Sequence, residues 1–178
     1  MHELEKKIVF FLNKPRIGYI DDFSAVISSI PFLLLAWFTV AAGILLYDII
    51  VGIFVFMGLA IVFLLNLIVG EIIFKKGSKI FSLQRLRPYK AYPQKIHPIG
   101  ENFSDSSFPS NHIASMTGGM LILVYFYPVI LFPAVCMVLL ISWSRLHNGM
   151  HYPTDILAGI FLGLGYGFVA LEAMVRLF

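Results

Sequence analysis

Two long apolar runs, residues 24–47 and 49–74, are separated by a single charged residue, Asp48. Each exceeds the ~20 residues that carry a helix across ~30 Å of hydrocarbon. A chain built on such runs has lipid as part of its solvent. The composition agrees: 59% of the 178 residues are hydrophobic and 13% are charged, against about 25% charged in water-soluble domains. The runs are continuously apolar and do not alternate every second residue, which argues against the strands of a membrane barrel. Helices then remain as the structure that satisfies its own backbone in hydrocarbon.

Apolar character returns three more times, from Pro109 to Tyr127, over residues 129–143, and over residues 156–178. The expected fold is therefore all-α, a polytopic transmembrane helical bundle of five spans. At this length the chain reads as one domain, residues 1–178. An N-terminal segment, residues 1–22, holds a short apolar run behind Glu3, Glu5, Lys6 and Lys7. It is too short to cross and reads as a helix lying in the interface, with a frayed, solvated tail as the other possibility. Acidic residues among the early lysines and the lack of a small-residue cleavage site are unlike a signal peptide. Residues 75–108 read as a polar active-site loop carrying most of the basic residues. The lone cysteine, Cys136, reads as a small core hydrophobe. Gly159 and Gly163 form a small-xxx-small pair, suited to a dimer face or to packing inside the bundle.

Three polar clusters fall at span ends that would share one side of the membrane. The first holds Lys79, Arg85, Arg87 and Pro88, the second Pro109, Ser110, Asn111 and His112, and the third Ser144, Arg145, His151 and Asp155. Their chemistry fits a phosphate. Arginines are permanent cations with forked donors matched to phosphate oxygens. Ser110 and Asn111 stand where a helix begins, and free N–H groups with the helix dipole favour an anion there. His151 and Asp155 supply an imidazole and a carboxylate that can orient it, the logic of an activated nucleophile. His112 can protonate a leaving oxygen near neutral pH. The carboxylates are scattered without a paired ligand set, so neither a metal nor another cofactor is expected.

These clusters resemble the signature of the type 2 phosphatidic acid phosphatase superfamily: Lys-x6-Arg-Pro, Pro-Ser-x-His, and Ser-Arg-x5-His-x3-Asp. The resemblance covers roughly residues 49–178. It implies a membrane lipid phosphatase, with His151 as nucleophile, Asp155 as its partner, and His112 as general acid and then base. Arg87, Arg145 and Ser110 would hold the phosphate, beside Asn111. The chain departs from the pattern at Ile80, where the family has lysine; Lys79 or Arg85 would supply that charge. The wording around His112 and Asp155 is most similar to bacterial lipid A 1-phosphatases and undecaprenyl pyrophosphate phosphatases, with phosphatidylglycerophosphate phosphatases close behind.

The remaining polar residues have plainer expectations. Lys75, Lys76, Lys90 and Lys95 read as anchors at span ends, and Glu71 and Glu172 as wetted carboxylates. Asn66 is expected to bond another helix, Tyr89 and Tyr92 to lie at headgroup level, and His2, His97 and His147 to be incidental. The implied partners are a lipid phosphate substrate and membrane lipids, not nucleic acid, and the oligomeric state is open. Transfer of phosphate to a hydroxyl acceptor is an alternative activity. A lipid-binding or transport role is another, although binding alone needs no nucleophile. Sidedness draws two opposed expectations. The cations Lys6, Lys7, Lys14, Arg16, seven more over residues 75–95, and Arg145 share the site's face, which the positive-inside rule puts in the cytoplasm. The resemblance implies the bacterial inner membrane with the site facing the periplasm, and that is the expectation adopted.

Overall fold

A computed structural model of the chain describes residues 3–13, 18–80, 84–100, 103 and 105–177. His2, Lys14 and Arg16, named above, lie outside the described residues. Among the described residues the secondary structure is helical throughout. Helix α1 is Glu3–Leu12, α2 Gly18–Ile27, α3 Ile30–Tyr47 and α4 Ile49–Leu65. A π-helical stretch, Asn66–Lys76, and α5, Gly77–Ile80, prolong α4 without interruption. Helix α6 is Pro88–Ala91, α7 Asn111–Phe126, α8 Leu131–His147 and α9 Pro153–Leu177.

Local chemistry sets these boundaries. Asp48 ends α3 by donating its N–H to Ile44, and starts α4 by accepting from the N–H groups of Ile50 and Val51. That is the tight turn expected between the first two runs. The first run itself is split. Residues 24–27 belong to α2, because Pro31 has no N–H for the Ile27 carbonyl and its ring would clash there if the helix ran on, and Ser29 caps a new helix instead. The second run outlasts its apolar stretch, staying helical to Ile80, so the polar loop begins after Ile80 and not at Lys75.

Four helical runs among the described residues are long and apolar enough to cross a membrane: Ile30–Tyr47, Ile49–Ile80, Pro128–His147 and Pro153–Arg176. The chain is a multi-pass membrane protein. The remaining expected span is α7, at 16 residues shorter than these. It is enclosed by α4, α8 and α9, with Ile113, Ala114 and Ile122 fully buried. The outward faces of the other helices carry Leu35, Phe38, Phe132, Leu139, Phe161 and Phe168, as lipid contact requires. Cys136 lies on that exposed outer face of α8 and is not a core residue.

The α7–α9 contact positions the site. A Cβ at Gly163 would lie 2.5 Å from the Ala114 carbonyl oxygen, and one at Gly159 2.7 Å from that of Ser110. Only a residue without a side chain lets the two backbones approach this closely. The small-residue pair is thus used inside the bundle. It brings the starts of α7 and α9 together, so that the Ser110 N–H donates to the Asp155 carbonyl at 3.1 Å.

Helix α1 does not float free. Val9 is fully buried and packs with Tyr89, Ile96, Met150 and Tyr152 under the polar end of the bundle. Leu4, Lys7 and Phe11 form the opposite, exposed face, the arrangement of a helix that rests in an interface. Asn13 clamps the same end, donating to the carbonyls of His97 and His147 and accepting from the His97 N–H. His147 is structural: its ring bonds the Leu12 carbonyl and Asp21, and stacks on Trp143.

Candidate active site

The ends of α4, α7, α8 and α9 converge beneath α1 and the loop around α6, and the three sequence clusters meet there. His151 lies in the short link between α8 and α9, 1% exposed. Its Nδ1 is 2.7 Å from the Ser107 carbonyl oxygen. A carbonyl only accepts, so Nδ1 carries the proton and Nε2 carries the lone pair. Nε2 faces Nη1 of Arg87 at 3.4 Å. Burial first, and then the charges of Arg87, Arg145 and Lys75, hold the His151 pKa well below the ordinary imidazole value. The ring is therefore neutral at physiological pH, the state in which Nε2 can attack.

Asp155, in the first turn of α9, is fully buried. Its Oδ2 accepts from the Tyr152 N–H at 2.8 Å and stands 3.7 Å from His151 Nδ1. The direct hydrogen-bond partner of the imidazole is thus the Ser107 carbonyl, with the Asp155 charge just behind it. No side-chain pattern in the sequence points to a backbone carbonyl.

Arg87 is 2% exposed. It donates to Asp105 Oδ1 through Nη2 at 2.7 Å and Nε at 3.3 Å, and to the Met150 carbonyl. Arg145 comes from the last turn of α8, with its guanidinium 5.8 Å from the Phe103 ring centre and donating to Ser28. Ser110 occupies the N-cap position of α7, and its buried hydroxyl makes no cap and has no hydrogen-bond partner. His112 follows in the first turn of α7, and its buried Nε2 also lacks a partner. Among the described residues, these are polar atoms placed where a bound anion and its leaving group would satisfy them.

The first cluster divides. Lys79 is exposed on α5 and stays outside the gathering. Arg85 comes close, but its guanidinium is committed to Asp155 at 2.6 Å and Glu5 at 3.1 Å. Lys75 takes the inner position. It is buried at the end of the π-helical stretch, pairing with Asp105 at 2.5 Å and Glu71 at 3.4 Å. Glu71 is partly exposed but is more than a wetted carboxylate: it also accepts from the Asn111 side chain at 3.1 Å. Burial opposes the charge on Asp105, but Lys75 and Arg87 outweigh it and hold its pKa below the usual carboxylate value. The surrounding loop is fixed by Tyr89, which is buried, its hydroxyl donating to the Phe103 carbonyl at 2.6 Å.

An apolar cavity of about 210 Å³ opens beside His112, between α3, α4 and α7. Leu33, Leu34, Trp37 and Phe63 line it, with Asn66, Asn111 and Ser115 near His112. Asn66 bonds across to α7 as expected, donating to Ser115 Oγ at 2.7 Å.

The undecaprenyl-diphosphatase of Sulfolobus acidocaldarius is 27% identical over 115 residues, 64% of this chain and 52% of that protein. The undecaprenyl-diphosphatase BcrC of Bacillus subtilis is 30% identical over 83 residues, 47% of this chain and 42% of that protein. The matches thus span about half the length of either relative. Two solved structures share the fold. The crystal structure of a transmembrane PAP2-type phosphatidylglycerolphosphate phosphatase from Bacillus subtilis superposes with a TM-score of 0.70 at 22% identity, over 97% of this chain and 85% of that one. Aquifex aeolicus LpxE superposes with a TM-score of 0.71 at 18% identity, over 96% of each. The family profile described as PAP2 superfamily matches residues 55–178, a stretch that contains every one of the three polar clusters, and the chain belongs to that superfamily.

Proposed function

We propose that the chain is an integral membrane phosphatase that removes the terminal phosphoryl group of a lipid phosphate or diphosphate through a phosphohistidine. The observation that carries this reading is the state of His151: Nδ1–H is held by a carbonyl, and the Nε2 lone pair is turned toward Arg87. A polyprenyl diphosphate is the first substrate to test, because two relatives are named as undecaprenyl-diphosphatases. Lipid A 1-phosphate and phosphatidylglycerophosphate follow.

In the proposed reaction Nε2 attacks the terminal phosphorus and the bond to the bridging oxygen breaks. His112, which takes up a proton as the negatively charged phosphate binds beside it, gives that oxygen this proton. Water then attacks the phosphohistidine, His112 takes a proton from it, and inorganic phosphate and neutral His151 are restored. Arg87, Arg145, Lys75 and Ser110 stabilise the charge on the equatorial oxygens, which is the larger part of catalysis in phosphoryl transfer. Before substrate arrives, Asp105 gives Arg87 and Lys75 their counter-charge, and the phosphate displaces it. The whole chain serves this one site as a single domain. Because His112 borders the apolar cavity, the leaving group is the lipid side of the substrate.

The test is phosphate release by purified protein from a panel of polyprenyl diphosphates, lipid A 1-phosphate, phosphatidylglycerophosphate and phosphatidic acid. Radiolabelled phosphate should appear on the wild-type chain in an acid-labile form, and His151→Ala should lose both this label and at least ~10⁴-fold in turnover. Release by His151→Ala at the wild-type rate would sink the mechanism. The site is further proposed to face the periplasm from the inner membrane. A cysteine at Lys95, in a Cys136→Ser background, should then react with an impermeant maleimide in cells whose inner membrane is intact. Labelling only after that membrane is broken assigns the site to the cytoplasm.

A further inference from the structure

Arg85 sits between two carboxylates and shows no orientation toward a phosphate. Its Nη1 donates to Asp155 Oδ1 at 2.6 Å and to Thr154 Oγ1 at 2.7 Å. Its Nη2 donates to the Glu5 oxygens at 3.1 and 3.3 Å. The guanidinium lies 4.2 Å from the centre of the Tyr152 ring. Glu5 closes the loop, accepting from Thr154 Oγ1 at 2.5 Å and from the Thr154 N–H at 3.3 Å. A chain of four side chains thus runs from the N-terminal helix to the carboxylate behind His151.

We propose that Glu5 is a positioning residue for phosphoryl transfer: through Arg85 and Thr154 it sets the orientation and the net charge that Asp155 presents to His151, which makes α1 part of the catalytic unit. The inference rests on the reading of His151 as nucleophile. Its physical basis is a charge count. Arg85 alone would neutralise Asp155, leaving little field to stabilise the imidazole as it gains positive character on phosphorylation. With Glu5 sharing the guanidinium, two carboxylates and one cation leave a net charge of minus one next to Nδ1. The four hydrogen bonds that Arg85 donates also hold its guanidinium against Asp155 Oδ1, so that Oδ2 stays turned toward the Tyr152 N–H and His151.

Anchoring of α1 does not by itself explain Glu5. Val9 and Asn13 already pin the helix, through the apolar cluster under it and through three hydrogen bonds. A buried carboxylate is a costly way to add one more anchor, since desolvation works against it. Here burial does oppose the Glu5 charge, and Thr154 and Arg85 more than offset it, holding its pKa below the ordinary value.

The experiment compares Glu5→Gln, Val9→Ala and His151→Ala with wild-type protein in the same detergent, reading kcat, KM, the pH profile of kcat/KM and thermal stability. Glu5→Gln keeps the shape and removes the charge. It should lower kcat about tenfold or more and leave KM within about twofold, since Glu5 touches no substrate. Its acid limb should move to lower pH, because an imidazole that loses a nearby negative charge is harder to protonate. The other groups facing His151 are Arg87 and Asp105 from the loop, Lys75 from the end of the π-helical stretch, His112 from α7, Arg145 from α8 and Asp155 from α9, and all are unaltered in this variant. Val9→Ala should melt earlier but keep the wild-type limb. Wild-type kcat and pH profile in Glu5→Gln overturn the proposal, as does an equal kcat loss and limb shift in Val9→Ala. If Glu5→Gln does not accumulate, Thr154→Val replaces it, with a smaller fall in kcat expected and no fall counting against. Activity in His151→Ala would instead remove the parent reading.

Discussion

Lys75 and Lys79 are four residues apart, and the structure gives them opposite roles. Consider Lys75→Met, which keeps the length of the side chain and removes its charge. Asp105 then keeps Arg87, and Glu71 keeps the Asn111 amide. Removing one partner of a fully buried ion pair costs about 3–5 kcal/mol. Here both carboxylates are partly wetted, 26% and 32% exposed, and each keeps a partner, so about 1–2 kcal/mol is expected. The effect on turnover is larger. A fixed charge or donor aimed at charge that develops in the transition state contributes roughly 10²–10³-fold. Lys79→Met removes an exposed charge outside the site, and such changes stay within about 0.5 kcal/mol, or roughly twofold. Initial rates of phosphate release, with thermal stability measured on the same samples, separate the two effects. The double variant Lys75→Met/Asp105→Asn should recover stability and not activity. If it recovers activity, Lys75 serves only to neutralise Asp105, and the reasoning fails. Equal damage from Lys79→Met would refute it as well.

The pH profile offers a second measurement. If His151 is the nucleophile, its neutral form is the reactive one; its pKa is held well below 6.5, so kcat/KM should stay level as pH falls past 6.5 and drop only in more acid solution. A limb above 6.5 belonging to His151 would contradict the burial and cation argument. If the phosphate is met by side-chain cations and helix N–H groups, turnover should persist in EDTA. Vanadate, which adopts the five-coordinate geometry of the transition state, should inhibit. Activity lost in EDTA and restored by Mg²⁺ would show that a metal takes part.

Much of this site was legible because its residues sit at helix ends. The spans fix which ends meet, so Arg87, Ser110, His112, Arg145, His151 and Asp155 could be grouped from order and spacing alone. What escaped the sequence is the pairing of charges. Glu5 and Arg85 are 80 residues apart, and Arg85 and Asp155 are 70 apart, with nothing local to announce the contacts. Lys75 escaped for a different reason. The end of the second run is π-helical, and each turn there takes up close to one more residue than in an α-helix. Read as the first residue of the polar loop, Lys75 had no helix face assigned to it, whereas the helix runs on to Ile80 and buries it. The break between α2 and α3 was hidden as well, since residues 24–47 read as one apolar run and only Ser29 and Pro31 mark the joint.

The direction of the reaction across the site has its own consequence. An in-line displacement places nucleophile and leaving group on opposite sides of phosphorus. His151 enters from the link between α8 and α9, and His112 stands beside the cavity bounded by α3, α4 and α7. The cavity measures about 210 Å³ and its lining is mostly apolar. That suits the first part of a lipid chain, the rest staying in the bilayer. The apolar lining then acts on lipid substrates and has no contact with a small soluble ester. Leu34 lines the cavity and is 53% exposed toward lipid, so Leu34→Trp narrows the entrance without overpacking the core. For a polyprenyl diphosphate kcat/KM should fall about tenfold or more, an amount that corresponds to losing about 1.4 kcal/mol of binding carried into the transition state. For p-nitrophenyl phosphate the same variant should stay within about twofold of wild type. Equal losses on both substrates would mean that the tail lies elsewhere and that the substitution disturbs the site itself. Unchanged turnover of both would place the leaving group away from α3, and His112 would then need a different partner.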